Sequence, residues 1–402
     1  MNQPRAMNGL TRLKRANLTE LLRLIHFHGE LSRSQLAEEA NITRSSVLGL
    51  VAELEDRGLV EQVTGLATGE IGRPSTLVRP SENIVVFTVA PLYDSIVVAT
   101  VTFAGKVVRR DTRILQELPT PQEFTRAAAE LIAEQTLQLD PNALIAGIGV
   151  AIPGHVRMDE GVVRNAYSLA WNDVPLAQML SEATALPTWL ANDGSLASLA
   201  EYRFGAGKGL SNLILLLGAV GGIGGGIIVD GNLVRGRDGF AGELGHAPIS
   251  DDERSSYAGI PGSLDSMVNR LELINALGLA RADDETLAAA VRRRAHEPEL
   301  SALLEHQADY LGRALGMFIN MFNPEAIVLT GYLRIIFEVR RDRVMQSVRR
   351  DALAQLAEGC EIRLDALGAD ILSIGAAELP LGQLIGNPTE HPLAKGAVTT
   401  PA

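Results

Sequence analysis

Residues 213–246 read LILLLGAVGGIGGGIIVDGNLVRGRDGFAGELGH. Apolar residues on both sides of the glycines predict two buried strands that are joined by a glycine-rich turn. Because glycine has no side chain, a ligand can approach the backbone N–H groups closely, and such loops can cradle phosphate. The stretch is therefore either half of a nucleotide site or a glycine-rich hairpin between two buried strands, and the rest of the chain has to decide between them.

The composition indicates a globular protein with more than one domain. The chain has 402 residues, of which 46% are hydrophobic. At roughly 100–200 residues per domain, this length predicts about two to four folding units. No apolar run approaches the roughly 20 residues that span a bilayer, and the N-terminus lacks the apolar core of a signal peptide. The single cysteine, Cys360, excludes intrachain disulfides and a cysteine-built metal site. We therefore predict a soluble cytoplasmic protein with no membrane partner and no metal.

Charge is distributed unevenly along the chain. The formal net charge of -12 argues against binding to nucleic acid. Before Thr19, however, the charged residues are all basic: Arg5, Arg12, Lys14 and Arg15. Since local phosphate contacts rather than total charge govern DNA binding, a basic N-terminal arm on an acidic protein is compatible with DNA.

The first eighty residues carry the pattern of a winged helix-turn-helix. Apolar residues at helical spacing predict a first helix that ends at His28. Ser32 and Gln35 form a capping-box signature that opens a second helix, and Thr43 is a candidate N-cap of a third. A third helix in this position enters the DNA major groove, and the contacts that we predict near its start are Arg44, Ser45 and Ser46.

A short hairpin follows the third helix and predicts the wing. Residues 59–63 and 77–78 form its strands, and the sequence Gly72-Arg73-Pro74 lies at its tip. An arginine on a thin hairpin suits a narrow, negatively charged minor groove, so Arg73 is a further predicted DNA contact. The alternative is a generic three-helix bundle whose polar residues are merely solvated. The order of capping box, turn, third helix and wing favours DNA binding.

The remainder of the chain alternates strands and helices, which predicts an α/β body. The first part predicts strands at 84–89, 96–101, 144–151 and 186–190, a helix at about 120–138, and an irregular polar loop at 162–171. A second unit opens with the glycine-rich stretch and continues with helices around 264–277, 302–322 and 337–356 and a strand at 326–330.

These patterns divide the chain into a winged helix and a two-lobed body. We predict the winged helix at 1–80 and the body at 81–387. Lobe 1 comprises about 81–191 plus a C-terminal helix, and lobe 2 comprises about 192–370. Residues 388–402 are rich in proline and threonine without periodicity, which predicts a disordered tail.

Several segments together carry a family resemblance. They are GIGVAIPG at 147–154, ND at 192–193, LAEYRFGAG at 199–207, the glycine-rich turn, GELGH at 242–246 and NPEAIVL at 323–329. In this order they resemble the ROK family of sugar kinases and sugar-responsive repressors over nearly the whole chain. The resemblance implies an actin-like, sugar-kinase-like α/β body. The winged helix resembles the repressor branch, because family members that are only kinases lack it.

The resemblance also implies which residues contact a sugar. Asn192, Asp193, Glu243 and His246 match sugar-contacting positions of the family, and Asp265 stands where the family has a sugar-contacting glutamate. Carboxylates accept hydrogen bonds and an amide both donates and accepts, which suits sugar hydroxyls. In the family's kinases the aspartate that matches Asp193 is also the general base. His246 is either a sugar contact or a satisfied core histidine.

The family's nucleotide and zinc positions are altered in this chain. In place of the phosphate-binding and metal-binding residues of the kinases it has Ala90-Pro91-Leu92-Tyr93-Asp94 and Val220-Gly221. The adenosine-contacting glycines appear as Thr330-Gly331-Tyr332, and the three zinc cysteines as Ser256, Ala258 and Ser263. Because phosphoryl transfer depends on positioning and charge neutralisation, these changes predict that kinase activity is lost.

The sequence thus predicts a transcriptional regulator, a repressor of sugar metabolism or transport genes, that is not an enzyme and needs no cofactor. Its predicted partners are palindromic operator DNA and a sugar or sugar derivative bound between the lobes, and its predicted assembly is a homodimer or a dimer of dimers. One alternative is a bifunctional sugar kinase that keeps Asp193 as base and uses ATP. Another is a DNA-binding protein whose pocket has lost its ligand.

Overall fold

The N-terminal domain of the computed structural model is a winged helix. The structure describes residues 9–64, 76–92, 95–115, 117–280 and 282–396. The elements of this domain are α1 (Gly9–His28), β1 (Leu31–Ser32), α2 (Arg33–Glu39), α3 (Arg44–Asp56), β2 (Val60–Thr64) and β3 (Thr76–Pro80). Its strands form an antiparallel sheet in the order β1-β3-β2. The wing tip with Arg73 lies outside the described residues.

The predicted caps position the helices of this domain. Ser32 and Gln35 form the reciprocal hydrogen bonds of a capping box at the start of α2. The Thr43 side chain accepts a hydrogen bond from the Ser46 N–H and caps α3. These caps satisfy backbone donors that have no partner inside a helix, so they set where α2 and α3 begin.

The first lobe is built on a mixed sheet. Its elements are β4 (Ile84–Leu92), β5 (Ser95–Thr102), β6 (Val107–Ile114), α4 (Pro121–Thr136), β7 (Leu144–Ile152), β8 (His155–Arg157), β9 (Val162–Ala166), β10 (Trp171–Val174), α5 (Leu176–Thr184) and β11 (Thr188–Asn192). The strand order is β11-β7-β4-β5-β6. Strands β4, β7 and β11 run parallel to one another, while β5 and β6 are antiparallel to their neighbours.

The prediction of an irregular loop at 162–171 is wrong. Strands β8, β9 and β10 form a small antiparallel sheet, and Trp171 is buried with its Nε1–H donating to the Pro119 carbonyl at 3.0 Å. The strands are only three to five residues long. Runs this short carry too little alternation to show a strand period in the sequence.

The second lobe repeats this arrangement. Its elements are α6 (Asp193–Phe204), β12 (Leu213–Ala219), β13 (Gly222–Val229), β14 (Asn232–Leu233), α7 (Leu264–Met267), α8 (Arg270–Leu277), α9 (Asp284–Arg294), α10 (Pro298–Phe322), β15 (Ala326–Gly331), α11 (Tyr332–Asp351), α12 (Ala354–Gly359) and β16 (Glu361–Leu364). Helix α13 (Ile371–Gly386) and strand β17 (Ala394–Lys395) follow in the chain and return to the sheet of the first lobe. No helix among the described residues is long and apolar enough to cross a membrane.

The two main sheets share one topology. The second sheet has the order β14-β13-β12-β15-β16, in which β12, β15 and β16 are parallel and β13 and β14 are antiparallel to their neighbours. In both sheets the first strand lies at the centre, with the second and third strands on one side and the fourth and fifth on the other. This duplication confirms the predicted two-lobed α/β body.

The glycine-rich stretch forms a β-hairpin. Gly224, Gly225 and Gly226 lie inside β13 and pair with Leu217, Leu216 and Leu215 of β12. A Cβ atom at Gly226 would lie 2.3 Å from the Ser198 Oγ of α6. The glycines therefore allow α6 to pack directly on the sheet, which places the start of α6 beside β13.

Helices α6 and α13 pack against each other between the two sheets. Helix α6 packs on β12 and β13, and α13 packs on β4 and β7. A Cβ atom at Gly375 of α13 would lie 2.3 Å from the Leu196 carbonyl oxygen of α6. The close approach of the two helices joins the lobes.

The predicted disordered tail is wrong for residues 388–396. Strand β17 pairs antiparallel with the start of β7. The His391 Nε2 lies 2.8 Å from the Ala146 carbonyl oxygen, and the His391 ring stacks on Trp189 with ring centroids 5.8 Å apart. Arg57 of the winged helix donates to the Thr389 carbonyl at 3.2 Å. This segment is held by long-range partners, which composition does not reveal. Residues 397–402 lie outside the described residues.

Candidate functional site

The junction of β11 and α6 supplies the first two predicted sugar contacts. The Asn192 Oδ1 accepts the Ser195 N–H at 3.0 Å and so caps α6, while its Nδ2 donates to the Gly154 carbonyl at 3.2 Å. Asp193 is buried, and its Oδ1 accepts from the Gly194 N–H at 2.8 Å and from the Asn192 Nδ2 at 3.2 Å. Among the described residues both of these hydrogen bonds are accepted by the Asp193 Oδ1, so its Oδ2 can bind a ligand hydroxyl.

Two loops bring the remaining three predicted residues together. The Glu243 Oε2 lies 3.7 Å from the His246 Nε2, and the His246 Nδ1 lies 3.8 Å from the Asp265 Oδ2. Asp265 stands in the first turn of α7 and accepts a hydrogen bond from the Ile223 N–H of β13 through Oδ1. Strand β13, helix α7 and the start of helix α6 thus border one site. We call the set Asn192, Asp193, Glu243, His246 and Asp265 the acidic pocket.

Two atoms of the acidic pocket are buried without a hydrogen-bond partner among the described residues. They are the His246 Nδ1 and the Asp265 Oδ2. Their separation of 3.8 Å is too long for a hydrogen bond between them. Because buried polar atoms are rarely left unpaired, these two favour a ligand hydroxyl that bridges them. The geometry therefore favours His246 as a ligand contact over a satisfied core histidine.

The carboxyl groups of the acidic pocket are electrostatically perturbed. Burial raises the pKa of Asp193 to about 7, and the nearby Glu243 carboxylate adds to this rise. Burial and Glu243 likewise raise the pKa of Asp265 to about 7. Burial together with the same carboxylates raises the pKa of Tyr257. Because Glu243 disfavours the ionised forms of Asp193 and Asp265, hydrogen-bond donors on a ligand would stabilise these two carboxylates.

The structure adds three aromatic residues that sequence reasoning did not identify. The His155 Nε2 lies 3.1 Å from the Glu243 Oε1, which raises the pKa of His155. The Tyr257 hydroxyl lies 3.5 Å from the His246 Nε2, and the Tyr257 and Tyr167 ring centroids are 5.9 Å apart. A signal existed for two of them: His155 follows the Pro153-Gly154 motif, and Tyr257 lies between two lost cysteine positions.

The predicted DNA contacts lie at the exposed start of α3. Arg44, Ser45 and Ser46 are exposed, and the Thr43 Oγ1 lies 2.9 Å from each of the two serine hydroxyls. Among the described residues no carboxylate oxygen lies within 4.0 Å of the Arg44 guanidinium. An unpaired arginine at a helix start can reach a DNA phosphate or base edge.

Part of the basic N-terminal arm is used within the protein. The Lys14 Nζ lies 2.6 Å from the Glu53 Oε2 of α3, and the Arg15 Nη1 lies 3.7 Å from the Glu390 Oε2. These ion pairs tie α1 to α3 and to the C-terminal segment. They reduce the positive charge that the arm can offer to DNA.

Family profiles match both the winged helix and the two-lobed body. The ROK family profile matches residues 94–382, and the MarR family profile matches residues 19–65. The chain belongs to the ROK family. A glucokinase from Halalkalibacterium halodurans is 30% identical over 308 residues, covering 71% of this chain and 91% of the glucokinase. The xylose repressor of Caldicellulosiruptor bescii is 24% identical over 401 residues, covering 95% of this chain and 99% of the repressor.

Solved structures show the same fold. The crystal structure of a ROK family transcriptional regulator, a homologue of the Escherichia coli MLC protein, matches with a TM-score of 0.76 and 23% identity and covers 93% of this chain and 97% of that one. A ROK family glucokinase from Streptomyces griseus in complex with glucose and AMPPNP matches with a TM-score of 0.61 and 24% identity, covering 73% and 98%. The first match spans the winged helix and the ROK body together.

The loop that carries zinc cysteines in the ROK resemblance is held here by backbone contacts. Isolated β-bridges join Pro248 to Ser263 and Ser255 to Pro261. The Ser263 side chain accepts from the Ser266 N–H and caps α7. Among the described residues no group of three or more His, Cys, Asp or Glu side chains could hold a metal ion. Bridges and a cap thus position Asp265 in this ROK protein.

The residues at the positions of the family's adenosine-contacting glycines lie at the carboxyl end of β15. Tyr332, at the carboxyl end of β15, is 1% exposed, and its hydroxyl donates to the Val268 carbonyl at 2.8 Å. A Cβ atom at Gly331 would lie 3.4 Å from the Asp284 Oδ2, so a carboxylate lies close by. Leu92 ends β4, and Tyr93 and Asp94 lie outside the described residues. A buried tyrosine thus follows Gly331, and a carboxylate lies beside it.

The perturbed carboxyl groups predict how stability depends on pH. Because the pKa of Asp193 and of Asp265 rises to about 7, the folded protein keeps protons that the unfolded chain has lost above pH 4. Their stabilising contribution is therefore complete below about pH 4 and is lost as the pH rises through 7. The free energy of unfolding should fall by up to about 1.4 kcal/mol per pH unit for each group in this window.

The measurement is chemical unfolding of the ligand-free protein at pH 5.5, 6.5 and 7.5, for the wild type and for Asp193→Asn/Asp265→Asn. Other titrating groups, His26 and His155 among them, are common to both proteins, so the difference between the two curves isolates the two carboxyl groups. We expect the variant to gain stability relative to the wild type as the pH rises. Parallel curves would contradict the raised pKa values.

Proposed function

We propose that this ROK protein is a sugar-responsive transcriptional repressor that has lost kinase activity. The observation that carries the proposal is the presence, in one chain, of a winged helix with an exposed α3 start and an acidic pocket at the β11–α6 junction. The share of this chain that each relative matches supports the proposal. The match to the xylose repressor covers 95% of this chain and the match to an Escherichia coli N-acetylglucosamine repressor covers 85%, whereas the match to the glucokinase covers 71%.

The chemistry of the acidic pocket suits a neutral polyol. Asp193 and Asp265 each offer one free carboxylate oxygen, and His246 offers a ring nitrogen without a partner among the described residues. Ring hydroxyls of a sugar both donate and accept, so they can satisfy all three groups. The Tyr257 and Tyr167 rings lie at the exposed side of the pocket, where an apolar sugar face can pack on them. We propose that Asn192 acts indirectly, by capping α6 and orienting Asp193.

We propose that the protein acts on DNA in the cytoplasm as a homodimer or a dimer of dimers. Two winged helices related by a twofold axis read a palindromic operator, with Arg44, Ser45 and Ser46 of each α3 in the major groove. A sugar changes operator affinity only if it binds one arrangement of lobes or subunits better than another.

Fluorescence anisotropy tests the proposal. The probe is labelled DNA from upstream of the protein's own gene, titrated at two salt concentrations with and without D-xylose, D-glucose or N-acetyl-D-glucosamine. We expect a sequence-specific complex whose affinity changes with at least one sugar. An Arg44→Glu variant is the matched control, since it should bind sugar normally but lose the complex. Equal affinity for upstream and scrambled DNA would refute DNA recognition.

Loss of kinase activity is a separate expectation. With Tyr332 buried at the end of β15 and Asp284 beside Gly331, ATP should not bind. A coupled ADP-release assay over the same sugars should give no turnover above background, with a ROK glucokinase as positive control. Turnover that disappears in Asp193→Asn would instead establish the bifunctional kinase.

A further inference from the structure

A buried polar cluster joins the winged helix to the ROK body. It consists of His26 in α1, Arg203 in the last turn of α6, and Glu378 in α13. The His26 Nε2 lies 2.9 Å from the Glu378 Oε1, and an Arg203 guanidinium nitrogen contacts the Glu378 Oε2. His26 and Glu378 are 4% and 6% exposed, so this contact is shielded from water. We call these three residues the His26 cluster.

The hydrogen bonds of His26 fit one position of α1 relative to α13 and to the turn between β5 and β6. The His26 Nδ1 lies 2.8 Å from the Phe103 carbonyl oxygen, in the turn between β5 and β6. Both ring nitrogens therefore face oxygen atoms, and one proton must lie between Nε2 and the Glu378 carboxyl group. Moving α1 away from α13 would separate His26 from the Glu378 carboxyl group and leave this proton without its second partner in a buried place, which is strongly unfavourable.

Aromatic rings hold His26 in this position. Its ring stacks on Phe103 with centroids 5.1 Å apart and meets the edge of Phe204 at 5.6 Å. Phe27 of α1 lies beside Tyr202 of α6, with ring centroids 6.4 Å apart. The last turn of α6 therefore contacts α1 directly, through rings on both sides of Arg203.

Helix α6 has the acidic pocket at its other end. Asp193 is its first residue and Phe204 its last, and its 12 residues span about 18 Å at about 1.5 Å per residue. The helix packs closely on β13, because a Cβ atom at Gly194 would lie 2.5 Å from the Gly225 backbone nitrogen. A displacement of this helix at Asp193 would therefore also displace Arg203, which lies beside α1.

We propose that the His26 cluster is the contact through which occupation of the acidic pocket changes the position of the winged helix. This inference rests on the proposed function. Its three residues are positioning residues: none touches the ligand or the DNA, and each belongs to a different moving part, namely α1, α6 and α13. Ligand binding tilts α6 against α13, Arg203 shifts on the Glu378 carboxylate, and the His26 contact then favours a different placement of α1.

The test compares operator affinity with and without sugar in the wild type, Glu378→Gln and His26→Gln. Each Gln roughly keeps the size of the side chain but cannot carry the charge that the native side chain can carry. The ratio of the two operator dissociation constants is measured by anisotropy with upstream DNA and the most tightly bound of D-xylose, D-glucose and N-acetyl-D-glucosamine. We expect a wild-type ratio of at least about tenfold to fall to within about twofold of one in both variants.

Sugar affinity, measured by calorimetry, distinguishes a variant that has lost the coupling from one that has misfolded. Both variants should bind the sugar within about threefold of the wild type, which a merely misfolded pocket would not allow. If Glu378→Gln does not fold, Arg203→Lys provides a second variant on the exposed side of the cluster. Glu20→Gln is the matched control, because Glu20 pairs with Arg23 on the surface of α1 at 2.7 Å and should leave the ratio unchanged.

The outcomes distinguish the coupling from the function itself. A wild-type ratio of one with every sugar would reject the sugar-responsive repressor and the coupling together. A wild-type ratio that persists in both His26 and Glu378 variants would reject only the coupling. A ratio that falls equally in Glu20→Gln would also reject it, because any disturbance of α1 would then suffice.

Discussion

Asp193→Ala should weaken sugar binding by at least about 100-fold, because it removes a buried carboxylate that offers charge-assisted hydrogen bonds. Asp193 is held in place by the Asn192 amide and the Gly194 N–H, so its free oxygen has a fixed direction. The loss should appear in calorimetry with the sugar that binds the wild type most tightly. Operator affinity without sugar should remain within about threefold, since the residue lies at the opposite end of α6 from the winged helix.

An exposed aspartate provides the control for this prediction. Asp342 lies on the surface of α11 in the second lobe, and Asp342→Ala changes net charge by the same amount. It should bind sugar like the wild type. If Asp193→Ala retained full sugar affinity and a full response, the acidic pocket would not be the effector site, and the ligand would have to be sought elsewhere in the chain.

Much of the fold followed from local sequence signals. The capping box at Ser32, the Thr43 cap and the breaks after His28 each have a mechanism within a few residues, and the structure confirms them. The alternation of apolar strands and amphipathic helices was enough to predict the two lobes. The family resemblance then placed Asn192, Asp193, Glu243, His246 and Asp265 in one site, although they come from distant parts of the chain.

What could not be predicted depends on contacts between remote residues. Strand β17 is only two residues long and exists because β7 offers it backbone partners. His26 and Glu378 are 352 residues apart, and nothing in the local pattern of either marks a buried pair. Tyr257 faces the acidic pocket because the loop around it folds back through two β-bridges, a shape that backbone contacts determine.

The glycine-rich stretch illustrates the same limit. Its composition allowed either a phosphate-binding loop or a hairpin, because glycine, which has no side chain, suits both structures. The structure shows that a side chain at Gly226 would collide with α6, so this glycine admits the helix to the sheet. The glycines in the sequence indicate that something packs closely on this strand, but only the tertiary structure shows that it is α6.

Gly149→Ala should reduce the free energy of unfolding by about 3 kcal/mol, a large effect for one methyl group. Gly149 lies in the middle of β7, between Trp189 of β11 and Thr88 of β4. A Cβ atom there would lie 1.9 Å from the Ala376 carbonyl oxygen of α13. Since Pro380 has no N–H to pair with that carbonyl in the helix, the oxygen is turned towards the sheet and the helix cannot relieve the clash locally.

Gly382→Ala is the matched control in the same helix. A Cβ atom at Gly382 meets nothing within 4 Å, so this variant should be unchanged or more stable by up to about 1 kcal/mol. Urea unfolding of both variants measures the difference, and a loss below about 1 kcal/mol at Gly149 would show that α13 can move away from β7 at little cost. Because α13 also carries Glu378, a folded Gly149→Ala protein should respond more weakly to sugar, whereas Gly382→Ala should respond normally.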